Sequence, residues 1–319
     1  MKAQDFRGFI EQLGDLTEVQ RSALAAALAG KGSGNEAIAL IEMQFSAAPA
    51  CGHCKSESFG SWGQASGLRR YMCRDCHRTF NALTGTPLAQ LHRRDAWLEY
   101  ARALVDRVSL RKAAKRAGIG LEASFRWRHR FLKAARDKRP SVVTGIVEAD
   151  ETLILKSWKG SKRLVARAPR KRGGQPRKLG TSPSDYDIVL IMRDRHKVTT
   201  DHILPNFEGA TFDTVMDPVV TRDSVLVTDG RPSYATFAKD RGMLHVAIFA
   251  NHGEHVYDGF HIQNVNAYTS RLKSWLRPFR GVASWHLSTY LGWRRSIERH
   301  AENLTPQHCL QAAYRYAST

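Results

Sequence analysis

The chain has little cysteine, a shortage of acid and no long apolar run, and each shortage excludes a class of protein. Five cysteines among 319 residues is an odd number, which argues against a disulfide-framed secreted domain. Four of the five sit in two Cys-x-x-Cys pairs, a usage that suits a metal in a reducing compartment. No apolar stretch reaches the roughly 18 to 20 residues of a membrane span, and the Met1 start lacks the basic, apolar, small-residue order of a signal peptide. A cytosolic protein with no membrane partner is therefore expected. Acids number 30 against 49 Lys and Arg, a formal charge of +19. That balance suits a polyanion, and nucleic acid is the partner it points to. Core-forming material is plentiful: 42% of residues are apolar, enough for two or three domains of about 100 to 200 residues each.

From Phe6 to about Phe45 apolar residues recur at helical spacing, interrupted from Gly30 to Gly34, and residues 1–48 read as a helical packing segment without chemistry. Residues 49–90 hold the sharpest local motif. Cys51-Gly-His-Cys54 and Cys73-Arg-Asp-Cys76 are two knuckles separated by eighteen residues of strand-like character. Two such pairs are what a tetrahedral four-thiolate zinc ribbon needs, and a closed site of that kind is structural. His53 and His77 are spare ligand candidates, and Cys309 reads as an ordinary small apolar residue.

Residues 91–139 switch to helical period and carry fifteen Lys and Arg against five acids from Arg93 to Arg139. A helix near Asp95 to Arg107, a second opened by Ser109 as N-cap, a turn at Gly118-Ile-Gly120 and a third helix from Leu121 to Ala135 follow the order of a helix-turn-helix whose recognition helix comes last. Arg111, Lys112, Ser124, Arg126, Arg128 and Arg130 are its candidates for DNA contact. A plain three-helix bundle with solvated cations has a similar pattern.

After Arg139-Pro140 the pattern turns to strands alternating with helices, a mixed α/β domain over residues 140–300 followed by a helical tail, 301–319. Its strands are read at Val142 to Leu155, Tyr186 to Met192, Lys197 to Leu204, Ser224 to Thr228 and His245 to Phe249. Between the first two lies an insertion, residues 156–185, with ten Lys or Arg, Lys171 and Arg172 among them, and no acid before Asp185. A loop this long is functional or disordered, and its charge suits DNA phosphate. The first strand reads Gly145-Ile-Val-Glu148-Ala-Asp150-Glu151-Thr152, and alternation sets Glu148, Asp150 and Thr152 on one face with Glu151 on the other. Acids in an apolar strand are costly unless paired or bound to a cation, and carboxylate oxygens suit Mg2+ or Mn2+. Asp229 ends the strand Ser224 to Thr228, where an exposed carboxylate can meet Asp150. Further on, Asn266 and Lys273 lie seven residues apart, on one face of a helix.

The Cys pairs, Leu83-Thr-Gly-Thr86, Trp97, the Ser109 to Arg130 helices, Val147-Glu-Ala-Asp-Glu-Thr152, Val227-Thr-Asp-Gly230, Asn251-His-Gly-Glu254 and His261-Ile-Gln-Asn-Val-Asn266 resemble, in order, the insertion-sequence transposases of the ISXO2-like group. The resemblance covers about 250 residues, from Cys51 to roughly His300. It implies a ribonuclease-H-like α/β catalytic core preceded by a zinc ribbon and an all-α helix-turn-helix domain, working at the bacterial nucleoid. It implies Asp150, Asp229 and Asn266 as ligands of catalytic Mg2+ or Mn2+ and Lys273 as a basic residue for the DNA backbone; Arg271 is expected beside Lys273 as a second phosphate-orienting cation. The activity implied is cleavage at transposon ends and strand transfer into target DNA, by a homodimer or larger assembly formed on DNA. The commonest family pattern has Glu where this chain has Asn266, and some members carry Asn there. Glu148, Glu254, Asp258 and Glu298 are fallback third acids. Two other classes stay open: a DNA-binding regulator, or relic transposase, with an inert α/β domain, and a recombinase built on a covalent tyrosine such as Tyr234 or Tyr290.

Overall fold

The computed structural model describes residues 8, 12–17, 20, 21, 36–161, 185–249, 253, 255–300 and 304–314. Most of the helical segment expected before residue 36, and most of the basic insertion, lie outside these residues. What is described falls into two compact units, one within Met1–Ala134 and Glu302–Thr319 and the other within Ala135–Ala301.

In the first unit a helical stretch at residues 36–47 precedes a three-stranded antiparallel sheet, β1 (Phe59–Ala65), β2 (Leu68–Cys73) and β3 (Thr79–Asn81). So small a sheet has little core of its own. An aromatic cluster supplies it: Phe45, Phe59, Tyr71 and Phe80 pack with ring centroids 5.1 to 6.2 Å apart. The Leu83-Thr-Gly-Thr86 segment seats against the first Cys knuckle. Gly85 has φ +79° there, and a Cβ on it would stand 2.7 Å from the Gly52 carbonyl oxygen, so only glycine fits. Three helices follow: α1 (Trp97–Val105), α2 (Leu110–Ala117) and α3 (Leu121–Phe131). Ser109 caps α2 through its side chain, accepting from the Lys112 amide at 3.5 Å, and Gly118 closes the helix at φ +61°. Trp97, Tyr100, Leu104, Ala113, Trp127 and Phe131 are buried between them.

The second unit is a three-layer α/β sandwich. Its strands are β4 (Ile146–Leu155), β5 (Tyr186–Asp194), β6 (Thr199–Leu204), β7 (Val225–Thr228) and β8 (Leu244–Ala247), in the order β6-β5-β4-β7-β8. β4 runs antiparallel to β5 and parallel to β7, and β8 is parallel to β7. Helices α4 (Gly209–Met216) and α5 (Pro232–Asp240) cover one face with Phe212, Met216, Tyr234 and Phe237. Helices α6 (Gln263–Leu276) and α7 (Leu287–Arg299) cover the other with Val265, Tyr268, Leu272, Leu287 and Leu291. A strand covered on both sides loses its alternation, and Ile188 to Met192 of β5 are accordingly all buried apolar residues. Arg295 of α7 pairs with Asp201 of β6 inside this unit and donates to the Ala135 and Arg136 carbonyls. A Cβ at Gly292 would stand 2.5 Å from the Arg136 Cα, so α7 lies on that segment with no side chain between.

The chain then returns to the first unit in α8 (Pro306–Tyr314), which packs on α1 and α3 through buried Leu310 and Ala313. The tail expected as a separate segment thus supplies a helix to the N-terminal unit. α4 has no counterpart in the sequence reading, because Gly209, Thr211, Asp213 and Thr214 weaken its helical signal.

Candidate metal centres and cationic surface

The two Cys knuckles converge as their spacing requires. Cys51 and Cys76 place their sulfurs 3.7 Å apart, Cys54 and Cys73 place theirs 3.6 Å apart, and all four lie within 4.8 Å of one another. Four thiolates about 2.3 Å from a central zinc would be separated by about 3.8 Å at tetrahedral angles, so the donor set and the spacing fit that ion. The Cys76 amide, opposed by burial and aided by the Asp75 amide, pulls the Cys73 thiol down to about 6, in the direction a metal ligand needs. His53 turns its ring to the Thr79 carbonyl, 3.3 Å away, and is not part of the cluster.

The second cluster sits on β4 where its neighbour ends. Parallel pairing of β4 with β7 stops at Glu148 opposite Val227, and β7 ends at Thr228. Asp229 follows at once, in a turn where its Oδ1 accepts from the Arg231 amide at 3.2 Å. Gly230 at φ +85° completes that turn, and a Cβ there would stand 2.5 Å from the Phe249 ring. Among the described residues no strand separates the two faces of β4 past the end of β7, and carboxylates from both reach Asp229. Asp150, Glu151 and Asp229 each bring an oxygen within 4.8 Å of the others. Glu151 does face away from Asp150 along the strand, as alternation requires, yet it joins the cluster around this free edge.

Electrostatics mark the same spot. Burial, and then the Asp229 charge, push Asp150 up to about 6, against the opposing pull of the Glu151 amide, Lys273 and Arg231. Burial pushes Glu151 up to about 7, against Arg231, which lies 3.0 Å from its Oε1, and with Asp229 and Asp150 adding to the rise. Tyr234 is buried beside them and is held well above its ordinary value by burial and the three carboxylates. Carboxylates crowded against their own repulsion suit a divalent cation, so the donor set fits Mg2+ or Mn2+. Lys273 is close enough to act on Asp150, and Asn266 shares its exposed side of α6.

The fallback acids are otherwise engaged. Glu148 is buried and bonded to the start of α6. Glu298 holds Arg193, Arg271 and Arg294 at 2.8 to 3.1 Å. Asp258 is exposed, and Glu254 lies outside the described residues.

The cationic candidates divide. Arg111, Lys112 and Arg126 are exposed, and Arg271 is half exposed while bonded to Glu298. Two expectations are corrected. Ser124 is wholly buried and donates to the Leu110 carbonyl at 3.1 Å, and Arg128 is wholly buried and donates to the Val108 carbonyl at 2.8 Å, so neither presents an atom to DNA. Arg130 is half buried and spends its Nη1 on the Ala89 carbonyl at 2.6 Å. The spacing 124, 127, 128, 131 is the inward stripe of a helix, a signal the sequence carries with Trp127 and Phe131. Lys171 and Arg172 lie outside the described residues. Among the described residues no helix is long and apolar enough to cross a membrane.

The chain is 28% identical over 248 residues, 76% of its own length and 82% of the other's, to an uncharacterized protein in transposable element ISH50 of Halobacterium salinarum. Among solved structures it is similar to that of a pre-cleavage Mos1 transpososome, at 14% identity and a TM-score of 0.22, covering 68% of this chain and 79% of that one. The Mos1 transposase paired-end complex with left transposon end gives 15% identity and a TM-score of 0.21 over the same shares. Superpositions this loose support no residue correspondence. The family model of the ISXO2-like transposase domain matches residues 142–294, the stretch that carries both halves of the acidic cluster. Through that match, just under half of the chain is similar to an ISXO2-like transposase domain.

Proposed function

We propose that this protein is a DNA transposase that binds the terminal inverted repeats of its insertion sequence, cleaves the ends with a divalent metal and transfers the strand into target DNA. The observation that carries the proposal is the meeting of Asp150 and Asp229 at the free edge of β4, with the Lys273 charge acting on the same carboxylate. The strand order, with β4 central, an antiparallel meander through β5 and β6 on one side and parallel strands on the other, supports a ribonuclease-H-like core.

Asp150 and Asp229 hold the metal in this reading, and Asn266 completes the donor set through its amide oxygen. Held by these residues, divalent ions would supply Lewis-acid activation of a nucleophilic oxygen and charge stabilisation of the leaving one for in-line displacement at phosphorus. Lys273 and Arg271 meet the phosphodiester, and Arg231 keeps Glu151 beside the two aspartates. In the first unit the four cysteines hold a structural Zn2+, forming a zinc ribbon, and α2 with α3 act as a helix-turn-helix whose exposed Arg111, Lys112 and Arg126 engage backbone phosphate. The protein works as a dimer or larger assembly on DNA, since two ends must be cut.

The test is cleavage of a labelled duplex carrying the terminal repeat, with Mn2+ or Mg2+ against EDTA, comparing the natural chain with Asp229→Ala. Metal-dependent nicking lost in the variant is the expected result; nicking unchanged in the variant refutes the assignment. One observation favours a second reading: Asn266 is a neutral amide where a carboxylate is the stronger ligand. Tight, specific binding without nicking by either protein would make the chain a DNA-binding regulator or a disabled transposase.

A further inference from the structure

We propose that Glu148 is a positioning residue, which fixes the helix bearing Asn266 and Lys273 to the strand bearing Asp150 by capping that helix from outside. The inference rests on the reading of Asp150 and α6 as parts of the cleavage site.

The argument starts at the end of α6. A helix leaves its first amides without intrahelical acceptors, and a Ser, Thr, Asp or Asn just before it normally accepts one. Here that position is Ile262, which has no side-chain acceptor and is buried. The acceptor comes instead from β4. Glu148 Oε2 accepts from the Val265 amide at 2.9 Å, and Oε1 accepts from the Asn264 side-chain amide at 2.8 Å. Arg195, in the turn between β5 and β6, places Nη1 3.2 Å from the same Oε1, and the His261 ring nitrogen Nδ1 is 3.4 Å from it. Both oxygens are therefore engaged, in a side chain with no exposed surface.

Burying a carboxylate is expensive, and a hydroxyl at position 262 would cap the helix locally without it. What the acid adds is a tie between two elements. Asp150 is two residues past Glu148, on the same face of β4, and Asn266 is the residue after Val265. The tie thus joins the strand two residues before Asp150 to the helix one residue before Asn266. Metal sites are sensitive to such outer contacts, whose loss costs about 10- to 100-fold in affinity or activity.

The chemistry of the tie also specifies its test. Glu148→Gln keeps the shape but replaces one acceptor oxygen by an NH2 group. With its remaining oxygen on the Val265 amide, that NH2 faces two donors, Asn264 and Arg195. Asn264→Asp, added to it, restores a donor opposite an acceptor. On the full chain, Glu148→Gln is expected to leave DNA affinity unchanged, to slow nicking about 10- to 100-fold and to raise the half-saturating Mn2+ concentration. The two opposed donors drive the substituted side chain off the Val265 amide, so amides in the first turn of α6 should exchange hydrogen about five- to tenfold faster, the equivalent of one lost cap. The Glu148→Gln, Asn264→Asp double variant should recover both properties, while Asn264→Asp alone, which sets two carboxylates together, should not match the natural chain.

Unchanged exchange and unchanged Mn2+ dependence in Glu148→Gln would overturn the proposal. So would equal losses of DNA affinity, melting temperature and nicking with no recovery in the double variant, which would make Glu148 a general packing residue. Failure of the site reading is separate: the natural chain would then not nick at all, or Asp150→Ala would nick as well as it does, while the exchange measurement would still report on the cap.

Discussion

Replacing Asp150 by Asn should make the metal-free protein more stable as it removes the site. The Asp150 carboxyl is raised from 3.8 to about 6 by burial and by Asp229. A carboxyl whose folded value is raised holds its proton in the folded state after the unfolded chain has released it. Stability therefore falls as pH climbs from about 4 to about 6, and stays lowered above that. At about 1.4 kcal/mol for each pH unit of that window, the loss reaches about 3 kcal/mol at neutral pH. Glu151, raised from 4.5 to about 7, extends the fall to near pH 7. An amide at position 150 carries no such cost. For a unit of this size about 3 kcal/mol corresponds to about 6 to 12 °C in melting temperature. The assay is calorimetric melting in EDTA from pH 4 to pH 8, natural chain against Asp150→Asn. The two should melt together at pH 4 and diverge with rising pH, the variant melting higher at pH 7.5. Added Mg2+ should raise the melting temperature of the natural chain and leave the variant where it was. A variant that melts at or below the natural chain at pH 7.5 in EDTA would refute the electrostatic account of the site.

Metal analysis of the purified chain should find one zinc for each polypeptide, and Cys73→Ser or a strong chelator should abolish exchange protection in β2 and β3; a zinc-free chain with intact protection would refute the four-thiolate assignment. Arg126→Ala should weaken DNA binding, lower the salt slope by about one and leave the melting temperature unchanged, whereas Arg128→Met should lower the melting temperature with the slope intact. Equal slopes in Arg126→Ala and the natural chain would remove α3 from the DNA surface. Gly230→Ala forces a side chain into a left-handed turn against Phe249 and should cost about 1 to 3 kcal/mol and at least tenfold in nicking, read by melting and by duplex cleavage.

Much of this was legible in the sequence, for identifiable reasons. Cys-x-x-Cys spacing dictates a knuckle by itself, and two knuckles dictate their meeting. Strand alternation placed Glu148 and Glu151 on opposite faces of β4, as found. Alternation says nothing about where the adjacent strand stops, and it is the early end of β7 at Thr228 that lets Glu151 reach Asp229. The partners of Glu148 were hidden for a related reason: Asn264 and Val265 are over a hundred positions away, and only the packing of α6 brings them near. Ser124 and Arg128 are polar residue types that suit DNA, yet their place on the inward stripe of α3 buries them.

The route of the chain has a consequence for synthesis. The α/β unit is inserted between α3 and α8 of the first unit, and its own beginning and end lie together, where Gly292 and Arg295 rest on Ala135 and Arg136. The first unit therefore lacks α8, with buried Leu310 and Ala313, until the whole insert has left the ribosome. At about 5 to 20 residues each second, that is a delay of roughly 10 to 30 seconds. During it the faces of α1 and α3 that α8 covers stay bare. An order follows in which the N-terminal unit is finished last, and a ribosome that stalls before residue 306 leaves a chain whose α/β unit can fold while its N-terminal unit cannot close.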